Sequence, residues 1–143
     1  LKALVATLKI EEKVLFTGPL YERSKLEAYV AADVYVLPSI YEIFGRTVLE
    51  ACACSTPVIV TDRCGIAHSI DGIGGQVVGY DEGQLYNALR VMLTNEDERK
   101  RLSAGARELV QANFSLDEVT RKLEEIYAGI GGRQDCIAKG DVV

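Results

Sequence analysis

Glu42 and Glu50, with seven residues between them, bracket the segment of this 143-residue chain whose residue types and spacing point to chemistry. An ionised carboxylate accepts paired hydrogen bonds from vicinal hydroxyls, so two of them close together suit recognition of a polyol. Between them, Gly45 allows the backbone to approach a ligand closely, and Arg46 to Cys54 has the pattern of a helix. The amides around Arg46, Thr47 and Val48 would then lack intrahelical partners and carry the positive end of the helix dipole, which is a phosphate-binding arrangement. Helical side chains lean toward the N-terminus, so Glu50 is expected to reach back toward Glu42 and those amides. A pocket for a sugar-phosphate ligand is the chemistry this segment implies.

Each residue also has a plainer explanation. Glu50 can pair with Arg46 one turn earlier, in the less favourable orientation and for only about 0.3 kcal/mol. Glu42 alone reads as a solvated loop carboxylate, and Arg46 alone as a solvent-facing residue near a helix start. It is the joint pattern of both glutamates with Pro38, Ser39, Phe44, Gly45 and Pro57 that favours a site.

The elements that must hold this segment follow from the hydrophobic pattern. Leu1 to Leu8 has helical spacing, Val14 to Thr17 is a short β-rich run stopped by Gly18-Pro19, and Ser24 to Ala32 is a helix with Leu26, Tyr29 and Val30 on one expected buried face. Val34 to Leu37 and Pro57 to Thr61 are strands, nearly continuous in their hydrophobicity, as in a parallel sheet covered on both faces. Gln76 to Val78 marks a further short strand after the Gly74-Gly75 pair. Three helices follow, over Glu82 to Leu93, Glu96 to Ala112 and Leu116 to Tyr127, the last two capped by Asn95 and Ser115 with Glu98 and Glu118 three residues on. Strands alternating with helices predict an α/β doubly wound domain with a parallel sheet, whose ligands bind at the carboxyl ends of the strands. The loops after Thr17, Leu37 and Thr61 are the ones that rule selects.

Composition narrows the partners. With 48% apolar and 26% charged residues the chain has the balance of a packed domain, and its length fits one. A net charge of −5, with no basic run, argues against nucleic acid and against an anionic membrane surface. The longest apolar candidate, Ala28 to Ile40, contains Asp33 and Pro38 and is no membrane span. Four cysteines read as core thiols: Cys52 and Cys54 point in different directions from one helix, Cys64 and Cys136 stand alone, and His68 is the single histidine, so no metal site is expected. His68 as a proton carrier competes with an inert loop histidine.

The run Pro-Ser-x-x-Glu-x-Phe-Gly-x-x-x-x-Glu-Ala, from Pro38 to Ala51, resembles the signature of family 4 retaining glycosyltransferases of the GT-B type. Pro57 to Val60, Val14 to Gly18, Ala31 to Leu37, the Gly74-Gly75 loop and Phe114-Ser115 extend the resemblance over nearly the whole chain. It implies a Rossmann-like C-terminal half of a two-domain enzyme. Glu42 would contact hydroxyls of the donor sugar and Glu50 the ribose hydroxyls. The Gly45, Arg46, Thr47 and Val48 amides would face the sugar and diphosphate, Gly18 to Leu20 would flank the base, and Phe44 and Ser39 would belong to the same donor site. Transfer would retain anomeric configuration without a metal or other cofactor. Departures from the family pattern are Ser55, where Gly is usual after the helix, and His68, near where Glu is commoner. The Arg and Lys that grip the diphosphate in the family lie upstream of where Leu1 stands.

These readings make residues 1–128 a donor-binding domain, incomplete at its N-terminus because the chain opens on Leu1, and residues 129–143 a frayed tail. Its expected partners are a nucleotide-sugar donor, an acceptor and the N-terminal lobe of the same enzyme. The expected location is cytoplasmic, or membrane-peripheral through that lobe. A non-catalytic nucleotide-sugar-binding module and another GT-B enzyme, an epimerase or a phosphorylase, remain the alternatives.

Overall fold

The computed structural model describes residues 1–134. Three strands, β1 (Tyr35–Leu37), β2 (Val58–Thr61) and β3 (Gly75–Val78), form one parallel sheet in the order β1-β2-β3. Tyr35 stands opposite Val58, and Val58 opposite Gly75. β2 is buried along its whole length, as its unbroken Val-Ile-Val run requires when both faces are covered. Its side chains alternate. Val58 and Val60 pack in a cluster with Val48, Ala51 and Cys52 of α3 (Arg46–Ala53) and with Ala106 and Leu109 of α6 (Glu96–Asn113). Ile59 packs instead with Val78 and with Ala88 and Met92 of α5 (Glu82–Thr94). Helices on both faces of a parallel sheet make this an α/β domain.

The remaining helices are α1 (Lys2–Leu8), α2 (Glu22–Ala31), the four-residue α4 (Ala67–Ile70) and α7 (Leu116–Gln134). The two expected caps form: Asn95 Oδ1 accepts from the Glu98 amide at 3.1 Å and Ser115 Oγ from the Glu118 amide at 3.3 Å. α7 runs through Gly129 to Gln134, so the beginning of the expected tail is helical; residues 135–143, including Cys136, lie outside the described residues.

Two expectations need correction. Val14 to Thr17 is no strand, because a strand is defined by its neighbour and the segment pairs with none among the described residues. Leu15 and Phe16 are accordingly exposed. In α2, only Tyr29 of the expected apolar face is buried; Leu26 and Val30 are exposed, since among the described residues α2 packs chiefly on α3. The Gly74-Gly75 pair sits where the turn after α4 leads into β3. A side-chain carbon on Gly74 would meet the Ala106 backbone at 2.9 Å, and one on Gly75 would collide with the Val58 carbonyl, so both glycines serve close packing of β3.

α3 ends in a Schellman motif. The Thr56 amide donates to the Ala51 carbonyl at 3.0 Å and the Ser55 amide to Cys52 at 2.9 Å. Ser55 itself takes a left-handed backbone, φ 62°, which explains why a glycine is favoured there.

Candidate functional site

The segment from Pro38 to Glu50 begins where β1 stops, and its loop is sewn to the loop after β2. The Glu42 amide donates to the Arg63 carbonyl at 3.1 Å, the Gly65 amide donates to the Glu42 carbonyl at 2.8 Å, and Thr61 Oγ1 donates to the Ser39 carbonyl at 2.6 Å. Glu42 and Cys64 form an isolated parallel bridge, so strand pairing resumes beyond the end of the sheet. This places Ser39 on the sheet's carboxyl edge and turns the Glu42 side chain inward. Glu42 Oε1 accepts from the amides of Gly45 at 3.1 Å and Phe44 at 3.3 Å.

Gly45 then starts α3 with φ 86°, in the left-handed region. Its glycine has an internal reason besides any approach to a ligand: a Cβ would stand 2.8 Å from Cys64 Sγ and 3.2 Å from the Val48 side chain. The Val48 amide, expected from sequence to be free, instead donates to the Gly45 carbonyl at 2.9 Å and tightens the first turn, and the Val48 side chain is core. The amides of Arg46 and Thr47 make no hydrogen bond among the described residues, as the first turn of a helix leaves them. Phe44 turns its ring to Phe114, edge to face at 6.2 Å, so its side chain braces the loop against the end of α6.

Glu50 does not reach back to Glu42. Its Oε2 lies 2.8 Å from Lys25 Nζ and 3.4 Å from the Tyr29 hydroxyl, both on α2, while the Arg46 guanidinium approaches Oε1 at 3.4 Å from an exposed position. The pairing with Arg46 thus exists but is the minor contact. The hydrogen bond from Lys25, with help from its charge and that of Arg46, holds the Glu50 carboxyl below the usual carboxylate range against the opposing effect of burial. Burial, then the neighbouring Tyr35 and Glu50, pushes the Tyr29 phenol up to about 12. Tyr29 and Tyr35 meet edge to face at 5.4 Å, and the Tyr35 hydroxyl donates to Thr47 Oγ1 at 2.9 Å.

Lys25, Tyr29, Tyr35 and Thr47 line a cavity of about 370 Å³ together with Gly18 and Leu20. Three of the residues chosen from sequence, Gly18, Leu20 and Thr47, therefore share one space, with Glu50 held behind its wall by Lys25 and Tyr29. Ser39, Glu42 and Phe44 stand on the other side of the α3 start, toward the loop after β2. Sequence reasoning missed Lys25 and Tyr35 and took Tyr29 for core alone; the four-residue spacing of Lys25 and Tyr29 on one helix was the available signal. A second cavity, about 350 Å³, lies at the carboxyl ends of the strands between Pro38, Thr61, Val78 and Leu85. His68 is exposed on α4, and Cys52 and Cys64 are buried free thiols, with Cys54 half-buried. Among the described residues no three metal-ligating side chains gather, and no helix is long and apolar enough to cross a membrane.

The family described as Glycosyl transferases group 1 matches residues 1–109. The chain belongs to that family. A D-inositol 3-phosphate glycosyltransferase from Xylanimonas cellulosilytica is 34% identical over 130 residues, 90% of this chain and 31% of the relative. A sucrose-phosphate synthase structure from Thermosynechococcus elongatus superposes with a TM-score of 0.78 at 30% identity, over 92% of this chain and 33% of that one. The C-terminal domain of a group 1 family protein (LpcC) from Francisella tularensis gives a TM-score of 0.71 at 24% identity, covering 80% of this chain and 60% of that domain. The fold is that of a GT-B C-terminal domain, and the chain spans about a third of the length of the curated relatives it matches.

Proposed function

We propose that this group 1 domain is the donor-binding part of a retaining hexosyltransferase and holds a nucleotide-diphosphate sugar across the start of α3. The observation that carries the reading is the convergence of Gly18, Leu20 and Thr47 on one cavity, with an ionised Glu50 fixed at its back. The base would sit against Gly18 and Leu20, the ribose hydroxyls would reach Glu50, and the diphosphate would meet the amides of Arg46 and Thr47. Glu42 spends Oε1 on the Gly45 amide, leaving Oε2 for a hydroxyl of the donor sugar. Helix amides supply only part of the charge stabilisation that a departing diphosphate needs, and such stabilisation is usually the largest single contribution to catalysis. On this reading the chain binds donor, and transfer requires the basic residues and acceptor site of an N-terminal lobe.

Calorimetric titration with uridine, guanosine and adenosine diphosphates tests it. At least one is expected to bind, more weakly after Glu50→Ala. Unchanged affinity in that variant removes the ribose role. Full transferase activity of the isolated chain would remove the requirement for a second lobe.

A further inference from the structure

We propose that Lys25 is the positioning residue for Glu50, fixing the carboxylate at the wall of the cavity shared by Gly18, Leu20 and Thr47 and cancelling its charge toward an anionic ligand. This rests on the donor-binding reading above.

Lys25 is twenty-five residues from Glu50 in the chain, and α2 exists as a separate element between the Gly18-Pro19 turn and β1. The packing of α2 on α3 brings Nζ to 2.8 Å from Oε2, with the two side chains 30% and 22% exposed. That partial removal from water makes the pair less screened than an exposed one such as Lys100 with Glu96 on α6, 72% and 65% exposed. The other groups facing the carboxylate are weaker holders: the Tyr29 hydroxyl at 3.4 Å from the same oxygen, and Arg46 at 3.4 Å from Oε1 with a side chain 84% exposed.

Lys25 is part of the cavity wall, and the carboxylate it holds lies next to that wall. A diol at that wall would find the plane of the carboxylate already set, with Oε2 held by the lysine and Oε1 shared only with the exposed Arg46. A nucleoside diphosphate is itself anionic, and a bare Glu50 in a chain of net charge −5 would repel it. Paired with Lys25, Glu50 keeps its acceptor oxygens while presenting little net field. The lysine acts through Glu50, as a positioning residue and not as a catalytic one.

Two measurements test this, one of them without ligand. In a ¹³C NMR titration of the Glu50 carboxyl, Lys25→Met is expected to raise the midpoint, and Lys25→Arg to restore most of the depression; an unmoved midpoint overturns the proposal. In calorimetry with uridine diphosphate, and guanosine and adenosine diphosphates in parallel, Lys25→Met is expected to weaken binding about fivefold, the upper range for a partly exposed ion pair. In a Glu50→Gln background the same substitution is expected to change nothing further. Equal weakening in both backgrounds would mean that the lysine acts on its own, and would overturn the proposal. If no diphosphate binds, or Glu50→Ala leaves affinity unchanged, the donor reading fails and the ligand-positioning role falls with it, while the carboxyl midpoint still reports whether Lys25 holds Glu50.

Discussion

Gly45 and Cys64 touch across the start of α3: a single methyl group on Gly45 would stand 2.8 Å from the Cys64 sulfur, closer than real contacts allow. The same glycine has φ 86°, so any side chain there also strains the backbone. Gly45→Ala is therefore expected to destabilise the domain by about 2 kcal/mol in urea denaturation. Adding Cys64→Ala removes the collision but not the backbone strain. The double variant is expected to melt above Gly45→Ala alone once the cost of Cys64→Ala by itself is subtracted, and strict additivity would show that the collision is relieved some other way.

Ser55 carries the opposite prospect. It holds the left-handed position that closes the Schellman motif after α3, and only its backbone is engaged, through its own amide and through a carbonyl that accepts from Ser103 Oγ at 2.5 Å. Ser55→Gly relieves the left-handed strain while leaving these bonds in place. Stabilisation by about 0.5 to 1 kcal/mol is expected, read as a raised denaturant midpoint at unchanged slope.

At the acid end, Glu50 titrates below its unfolded value, so its contribution to stability is complete above the unfolded pKa of about 4.3 and is lost as pH falls through the lower folded value. Glu50→Gln is expected to be less stable than the parent at neutral pH and to lose less on acidification. Parallel pH profiles for the two proteins would contradict this.

Tyr29 works at the alkaline end with the opposite sign. Its folded pKa, about 12, lies above the unfolded value, so its contribution is complete below pH 10 and fades as pH climbs toward 12. Two pKa units at about 1.4 kcal/mol each bound that loss at roughly 3 kcal/mol, which solvent screening reduces. Tyr29→Phe is expected to flatten the alkaline limb of a stability profile, with tyrosinate absorbance at 295 nm checking that the transition belongs to this side chain.

What the sequence made legible was whatever is decided locally or by total burial. β2 was readable because a strand covered on both faces has an unbroken apolar run, and the caps at Asn95 and Ser115 because a cap is made within three residues. Val14 to Thr17 has the same composition as a strand and is none, since pairing depends on a neighbour that composition cannot supply. The motif located the start of α3 but misdirected Glu50: one helical turn suggested a reach back toward Glu42, whereas α2, an element with no spacing relation to the motif, offers a cation at 2.8 Å. Phe44 illustrates the same limit, because its partner Phe114 lies seventy residues further along.

The parallel bridge between Glu42 and Cys64 ties the loop after β1 to the end of β2, the most deeply buried strand. Hydrogen bonds that continue a ladder open with it, so the amides of Glu42 and Gly65 should exchange with solvent on the slow timescale of the sheet and not on the fast one of a surface turn. Donor would thus meet a surface whose shape is already set, and little of its binding energy would be consumed in ordering that loop.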